Sequence, residues 1–311
     1  MTTVLKSLGG LAALGAAGLG YASLVERNAY VLRRFTVPVL PAGTPALRVL
    51  HISDLHLVPR QQRKVEWVRR LAELAPDLVV NTGDNLADLH AVPVALRALE
   101  PLMGFPGVFV MGSNDYFGPS PVNPARYLTP RHGAPRPGRV SLPVEDLRAG
   151  MVAGGWTDLD NVRTALPVGG ASVEFVGTDD AHIKRDRYAA VAGPASPSAA
   201  LTVGVTHAPY QRVLDPMVAD GARLVIAGHT HGGQLAVPFY GALVTNCDLP
   251  TDRAKGVSRW WPGAGSSPSS AAPPDAAWLH VSAGLGTSPY TPVRFACRPE
   301  ATLLTLVPGD G

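Results

Sequence analysis

Five short segments of this 311-residue chain carry side chains of types that can bind divalent metal ions: Asp54-Leu55-His56, Gly83-Asp84-Asn85, Gly112-Ser113-Asn114-Asp115, Thr206-His207-Ala208 and Gly228-His229-Thr230-His231. Carboxylate, amide and imidazole donors in this mixture suit Mn, Fe or Zn, and the lack of thiolates argues against a cysteine-based structural site. Asp54, His56, Asp84, Asn114, His207, His229 and His231 are too many donors for one tetrahedral ion and match two ions sharing a carboxylate. Such a pair, about 3.5–4 Å apart, supplies a bridging hydroxide as nucleophile and clamps phosphoryl oxygens during in-line displacement. Gly83, Gly112, Gly228 and Gly232 beside the donors allow tight turns and close backbone approach. Taken singly, an Asp-x-His arises by chance and a Gly-Asp is a common turn; in this order along one chain they form one pattern.

The segments need a frame that brings them together, and the apolar pattern predicts one. Leu47–Ile52, Leu78–Asn81, Gly107–Met111, Val173–Val176, Leu201–Val205, Leu224–Ala227, Leu279–Ser282 and Thr302–Leu306 read as buried strands. Gln62–Ala75, with Val65, Val68, Leu71 and Leu74 on one face, reads as a helix, as do Val92–Leu102 and Tyr210–Ala219. Each metal-binding segment follows a predicted strand, and α/β sheets build their sites outside the carboxyl ends of strands, so the five loops can converge on one crevice. Pro119–Pro143, Ala192–Ala200 and Pro262–Ala276, rich in Pro, Gly, Ser and Ala, read as surface loops. The chain has no G-x-S-x-G elbow and no glycine fingerprint leading from a strand into a helix, which removes serine hydrolases and P-loop or Rossmann nucleotide enzymes.

With the donors in this order, the sequence from about Leu47 to Leu306 resembles the calcineurin-like metallophosphoesterase family, whose pattern is D-x-H, G-D, G-N-H-D or G-N-H-E, a lone His, and G-H-x-H. The resemblance implies an α/β sandwich of two mixed sheets flanked by helices. It also implies two divalent ions, one held by Asp54, His56, Asp84 and His231 and the other by Asp84, Asn114, His207 and His229, with Asp84 bridging. The reaction implied is hydrolysis of a phosphodiester or pyrophosphate by a metal-bridging hydroxide. The Gly228–Gln234 run, Gly284–Ser288, Arg294-Phe295 and Pro299-Glu300, together with an apolar N-terminus, resemble a membrane-associated bacterial subgroup related to UDP-diacylglucosamine hydrolases, which implies a lipid-linked substrate.

The third motif departs from the family. Without a gap, Ser113 falls on the family's Asn ligand, Asn114 on its His, and Asp115 on its acid; shifted by one, Asn114 remains a ligand and Asp115 takes the histidine's slot. An amide oxygen is a better donor than a neutral hydroxyl, which favours Asn114 as the ligand. In either register the histidine that the family uses to stabilise the transition state is missing. Asp115, His182 and Arg294 are the catalytic candidates, with Tyr116 a further replacement donor. The alternative is a metal-binding or ligand-sensing module that lost catalysis with that histidine. Elsewhere, His51 reads as a core histidine, Asp179-Asp180-Ala181-His182 as a capped turn or a substrate contact, and Lys184–Arg187 as a solvated loop or a phosphate contact. Trp260-Trp261 reads as packing or an interfacial anchor.

The net charge of +3 sits entirely in the first 36 residues, through Lys6, Arg27, Arg33, Arg34 and Glu26, leaving the rest of the chain neutral. A nucleic-acid surface does not follow from so few clustered basic residues. Ser7–Val25 is uncharged and long enough, at ~1.5 Å per residue, to span a bilayer as a helix. A membrane anchor and a cleaved signal peptide both fit; the absence of a clear A-x-A site favours the anchor. Three basic residues after the run and one before it lean toward a cytoplasmic catalytic part and leave the side of the membrane open. The expected organisation is an anchor or signal over 1–36, a linker over 37–46 and a metallophosphoesterase domain over 47–308. Cys247 and Cys297 define no disulfide framework, and either one bridge or two buried thiols follow.

Overall fold

The computed structural model describes residues 13–121 and 138–309. Its strands are β1 (Val31–Leu40), β2 (Leu47–Ile52), β3 (Leu78–Asn81), β4 (Gly107–Phe109), β5 (Thr157–Asp158), β6 (Arg163–Val168), β7 (Ala171–Thr178), β8 (Leu201–Thr206), β9 (Leu224–Ala227), β10 (Ala236–Val237), β11 (Gly241–Ala242), β12 (Gly256–Trp260), β13 (Ala277–Val281) and β14 (Glu300–Pro308). One six-stranded sheet runs β1-β14-β2-β3-β4-β5, the other β12-β13-β9-β8-β7-β6, and β10 and β11 form a separate hairpin. The central strands β2, β3 and β4 are parallel, as are β7, β8, β9 and β13. Antiparallel β14, β6 and β12 make both sheets mixed.

The side-chain alternation along these strands produces three layers of core. Leu47, Val49, Leu78 and Val80 face Val203, Val205, Leu224 and Ile226 across the sandwich. Their neighbours Leu50, Ile52 and Val79 turn outward to Val65, Val68, Ala95 and Leu99 on the helices Gln62–Arg70 and Val92–Leu99. On the other flank, Val225, Leu279 and Val281 meet Val213, Leu214 and Met217 of the helix Gln211–Ala219. A strand buried on both faces must be apolar throughout, which is why the central strands stand out in the sequence as continuous runs. Each such Val or Leu contributes roughly 1.5–3 kcal/mol by leaving water.

The N-terminal region differs from its expectation. Residues 13–20 are helical and lead into a π-helical turn at Tyr21–Val25 and a 3-10 turn at Glu26–Asn28. No helix among the described residues is long and apolar enough to cross a membrane; residues 1–12, which include the start of the uncharged run, lie outside them. The end of the run is docked on the domain: the Ala22 carbonyl accepts from Arg294 N at 3.1 Å, the Tyr21 and Phe295 rings meet edge to face at 6.4 Å, and buried Glu26 accepts from Cys297 N at 2.7 Å. Val31–Leu40, expected to divide between anchor flank and linker, is a ten-residue strand paired in parallel with β14. Arg33, Arg34, Thr36 and Pro38 interrupt its apolar pattern, which hides the strand in the sequence.

Trp260 is buried and donates through Nε1 to Asp215 at 2.9 Å, so it packs in the core rather than anchoring at an interface. Cys247 and Cys297 are free and buried.

Candidate metal centre

The five motifs follow β2, β3, β4, β8 and β9, the central strands of both sheets, and their loops are laced together by backbone bonds. Asp54 N, His56 N and Leu57 N donate to the carbonyls of Gly83, Asp84 and Asn85, and Gly228 N donates to the His207 carbonyl. Asp54, His56, Asp84, His229 and His231 all have positive φ, between 41° and 70°. Left-handed backbone in a non-glycine residue costs on the order of 1 kcal/mol and persists only where its surroundings over-determine it. Such strain concentrated on candidate ligands is itself a mark of a built site. Gly83, at φ 86°, and Gly112 are needed for close approach: a Cβ on Gly83 would strike the backbone of Met111 and Gly112, and one on Gly112 would strike Asp84 and His207.

Two donor groups result, Asp54–His56–His231 and Asp54–Asp84–His207. His56 Nε2 faces His231 Nε2 at 3.2 Å, and His229 Nδ1 faces His207 Nε2 at 3.3 Å. Asp84 Oδ2 lies between the pairs, 3.5 Å from His56 Nε2 and 3.4 Å from His207 Nε2, and Asp54 Oδ1 is 3.5 Å from His231 Nε2. Metal–nitrogen bonds of about 2.1 Å give ligand–ligand edges of roughly 3.0–3.4 Å, from octahedral to tetrahedral, so these separations are close to coordination edges.

Hydrogen bonds at the far nitrogens set the tautomers. His207 Nδ1 donates to the Thr82 carbonyl at 2.6 Å and His229 Nε2 to the Asn246 carbonyl at 3.2 Å, which leaves lone pairs on the two nitrogens that face each other. Nitrogens facing at 3.3 Å need a positive centre between them, either a metal ion or the proton that Asp84 favours on His207. Asp54 Oδ2 accepts from Ser53 Oγ at 2.5 Å and His229 N at 3.1 Å, while buried Asp54 Oδ1 has no hydrogen-bond partner. An orphaned carboxylate oxygen beside a histidine pair fits a divalent ion, and the residues present therefore suit the two-ion reading.

Burial dominates the electrostatics. It pushes Asp54 up to about 6 and His56 down to about 4, and it lowers His229 and His231 well below the usual histidine range. Asp84 and His207 resist it: although burial disfavours both charges, their mutual attraction holds the carboxyl well below, and the imidazole well above, their ordinary values.

The remaining predicted residues are placed as follows. Asn114 reaches Asp84 with its amide nitrogen: Nδ2 donates to Asp84 Oδ2 at 2.6 Å, and Oδ1 accepts from Arg139 at 3.2 Å. In this orientation the amide oxygen does not face the ion position, and a half-turn about Cβ–Cγ would exchange the two atoms. Asp115, expected to be catalytic, is fully buried and accepts N–H bonds from Asp84, Asn85, Leu86 and Gly112 at 2.7–3.2 Å, so it holds the second and third motif loops in place. This role suits the ungapped register, with Asp115 as the motif acid. Arg294 is also fully buried; it donates to the carbonyls of Ala283, Gly284 and Gly286 and lies 3.2 Å from His231 Nδ1, which makes it a positioning residue. His182 does reach the cleft, its ring 4.6 Å from that of His229 and its Nδ1 3.0 Å from Tyr210 Oη. Tyr116 donates to Asp179 at 2.9 Å and is buried. Asp180 accepts from His182 N, and Asp179 from Asp180 N, which is the capped-turn reading of that segment. His51 is a core histidine bonded to Thr82 Oγ1 at 2.9 Å.

Above the donors opens a cleft of ≈ 1200 Å³ whose walls include Leu19, Phe117, Leu235, Leu243, Tyr290 and Val293. Arg139 and Lys184 also line it. Sequence reasoning missed Arg139, which lies in a Pro-rich stretch with no periodicity, and missed the hairpin, whose strands are two residues each.

The family comparison agrees with the geometry. The family model for calcineurin-like phosphoesterases matches residues 47–233, more than half of the chain, and the chain belongs to that family. Among its relatives, the uncharacterized metallophosphoesterase YkuE of Bacillus subtilis (strain 168) is 26% identical over 317 residues, covering 97% of this chain and 96% of its own. An uncharacterized metallophosphoesterase of Aquifex aeolicus (strain VF5) is 25% identical, covering 93% of this chain and 96% of its own. The crystal structure of TT1561 of Thermus thermophilus superposes with a TM-score of 0.37 at 12% identity, over 78% of this chain and 91% of that one.

Proposed function

We propose that this protein is a dinuclear metallophosphoesterase that hydrolyses a phosphodiester or pyrophosphate carrying a long apolar group, as in a lipid-linked substrate. The observation that carries the hydrolase reading is the pair of facing imidazole couples on either side of Asp84 Oδ2. Asp54, His56, Asp84 and His231 would hold one ion, and Asp84, His207 and His229 the other, with Asn114 beside the second set, bonded to Asp84. The ions, Mn, Fe or Zn, would supply Lewis acidity toward phosphoryl oxygens and an activated water. The protein fixes which nitrogen His207 and His229 present, through the carbonyls of Thr82 and Asn246, and keeps the ligand loops rigid through Asp115.

The apolar group is read from the walls of the cleft. Leu235 and Leu243 line it and are half-exposed, and they flank a hairpin whose Phe239 and Tyr240 face solvent. Leu19, at the end of the N-terminal helix, lines the same cleft. This continuity supports the likeness to UDP-diacylglucosamine hydrolases and attachment at a membrane through the N-terminal segment.

Asp84→Asn in the full chain loaded with Mn or Zn is expected to lower turnover of an activated aryl phosphodiester by about 10³-fold or more and to reduce bound metal; undiminished turnover would sink the hydrolase reading. A panel of phosphomonoesters, diesters, nucleotide pyrophosphates and a lipid-linked pyrophosphate tests the substrate class, and preference for a soluble nucleotide discards the lipid-linked part. The neutral Asn114 in the third motif favours a second reading, a metal-binding sensor without catalysis. Full metal occupancy with no hydrolysis of the panel would establish it.

A further inference from the structure

Glu26 is a buried carboxyl group outside the chemistry proposed for the donors. It stands on the 3-10 turn that follows the uncharged N-terminal run, and its Oε1 accepts from Cys297 N at 2.7 Å. That bond is one of a row between the N-terminal segment and residues 294–299. Arg294 N donates to the Ala22 carbonyl at 3.1 Å, Arg298 Nε to the Ala29 carbonyl at 2.8 Å and Val31 N to the Pro299 carbonyl at 2.9 Å, while the Tyr21 ring meets Phe295 edge to face.

The opposite side of the same segment grips a candidate ligand. Cys297 Sγ donates to the His231 carbonyl at 3.2 Å, and Arg294 Nη1 donates to it at 3.5 Å. Phe295 N donates to the Gln234 carbonyl at 3.1 Å and Ala236 N to the Phe295 carbonyl at 2.9 Å, so the chain on both sides of the last motif is tied down. His231 and Ala296 both have a φ of 51°. Left-handed backbone at residues other than glycine persists only where the neighbours over-determine it. For His231 those neighbours include Arg294 and Cys297, and for the segment that carries them they include the N-terminal residues.

Resting on the two-ion reading of this site, we propose that the N-terminal segment is a retained part of the metal centre, in which Glu26 positions His231 through Cys297 and Arg294. A signal cleaved at the end of the uncharged run would strip Tyr21 and Ala22 from this clasp, and the segment behind His231 would lose one wall. Groups that orient a ligand from behind govern metal affinity without touching the ion, and a ligand must be held to within about 0.5 Å of its working place.

The test is calorimetric titration of Mn into the full chain, as wild type and as variants, with the two phases of the isotherm assigned by the one lost in His231→Gln. In Glu26→Ala the affinity of that phase is expected to fall about 10-fold, while the phase of the Asp84, His207 and His229 set keeps its wild-type value. Glu26→Gln should bind both ions as wild type does, because its amide oxygen still accepts from Cys297 N. Tyr21→Ser, at a half-exposed position, should show a smaller loss at the same ion. Met217→Ala, in the core on the far flank, controls for stability and should leave both phases unchanged. Wild-type affinity at both ions in Glu26→Ala and Tyr21→Ser overturns the proposal, as does an equal loss at both ions that Met217→Ala reproduces. So does protein from its own cells whose intact mass lacks Tyr21 and Ala22. If wild type takes up no ion, the two-ion reading fails and the proposal falls with it, an outcome distinct from clasp variants that change nothing.

Discussion

The floor of the cleft and its rim are built on opposite principles. On the floor, Asp54, Asp84, His207 and Asp115 are buried, five residues carry left-handed backbone, and hydrogen bonds from neighbouring loops fix the ligand side chains from several directions. On the rim, Leu235, Phe239, Tyr240, Leu243 and Tyr290 are exposed, and the hairpin that bears Phe239 and Tyr240 between Leu235 and Leu243 has two ladder pairs. A floor of that kind performs chemistry common to any phosphoester, because charge, tautomer and distance are set before a substrate arrives. Under the proposed function a rim of this kind would discriminate between substrates, because what it offers is apolar area available only to a molecule long enough to reach it.

This contrast predicts that floor and rim variants fail differently. The largest effect belongs to Asp115→Ala. It leaves four buried N–H groups without their acceptor, and about 3 kcal/mol or more of stability should be lost. Metal affinity should fall roughly 10–100-fold although Asp115 touches no ion; denaturant midpoints and metal titration read both. Unchanged metal affinity would show that the floor does not depend on that acid. Next comes the rim: Phe239→Ser combined with Tyr240→Ser should raise the KM for a lipid-linked substrate by about 10-fold and leave a short aryl diester unaffected. Equal effects on both substrates would merge floor and rim into one functional unit.

A pH-dependent effect lies beneath the floor. Lys64 is buried, donates to the Leu55 carbonyl at 2.6 Å, and is pushed down to about 7 by burial, with Arg294 and Arg27 adding to the shift. Above pH 7 the folded state binds fewer protons at this site than the unfolded chain, whose lysine titrates near ~10.4. Stability therefore rises with pH from about 7 upward. Lys64→Met should lack the rise that wild type shows in denaturation midpoints between about pH 7 and 9. A parallel rise in both proteins would assign it to other groups.

Much of the floor was legible in the chain, and the reason is local. Leu47–Ile52, Leu78–Asn81 and Leu224–Ala227 match their strands residue for residue, since strands covered on both faces are mostly apolar, with Arg48, His51 and Asn81 the exceptions. The metal-binding residue types follow those strands within a few positions. Less was legible at the edges. Val31–Leu40 and Gly256–Trp260 lie at sheet margins, are only partly buried, and show no clear apolar period. The helix Val144–Ala153 was missed because only Leu147 and Met151 are buried on it. Arg139 and the aromatic hairpin were hidden for a related reason: they pack on the motif loops across the chain rather than on near neighbours in sequence.

What the sequence alone determined is the inventory of donors, their order and the strands that carry them, because side-chain type and hydrophobic period are properties of a few adjacent residues. The tertiary structure decided the role each donor takes. Thr82 lies 125 residues from His207 and Asn246 lies 17 from His229, yet their carbonyls choose which imidazole nitrogen faces the ions. A backbone carbonyl is the same at every residue and leaves no mark in the sequence. Asp115 and Arg294 illustrate the same point: both carry a charge suited to catalysis, and burial against backbone groups made them supports instead.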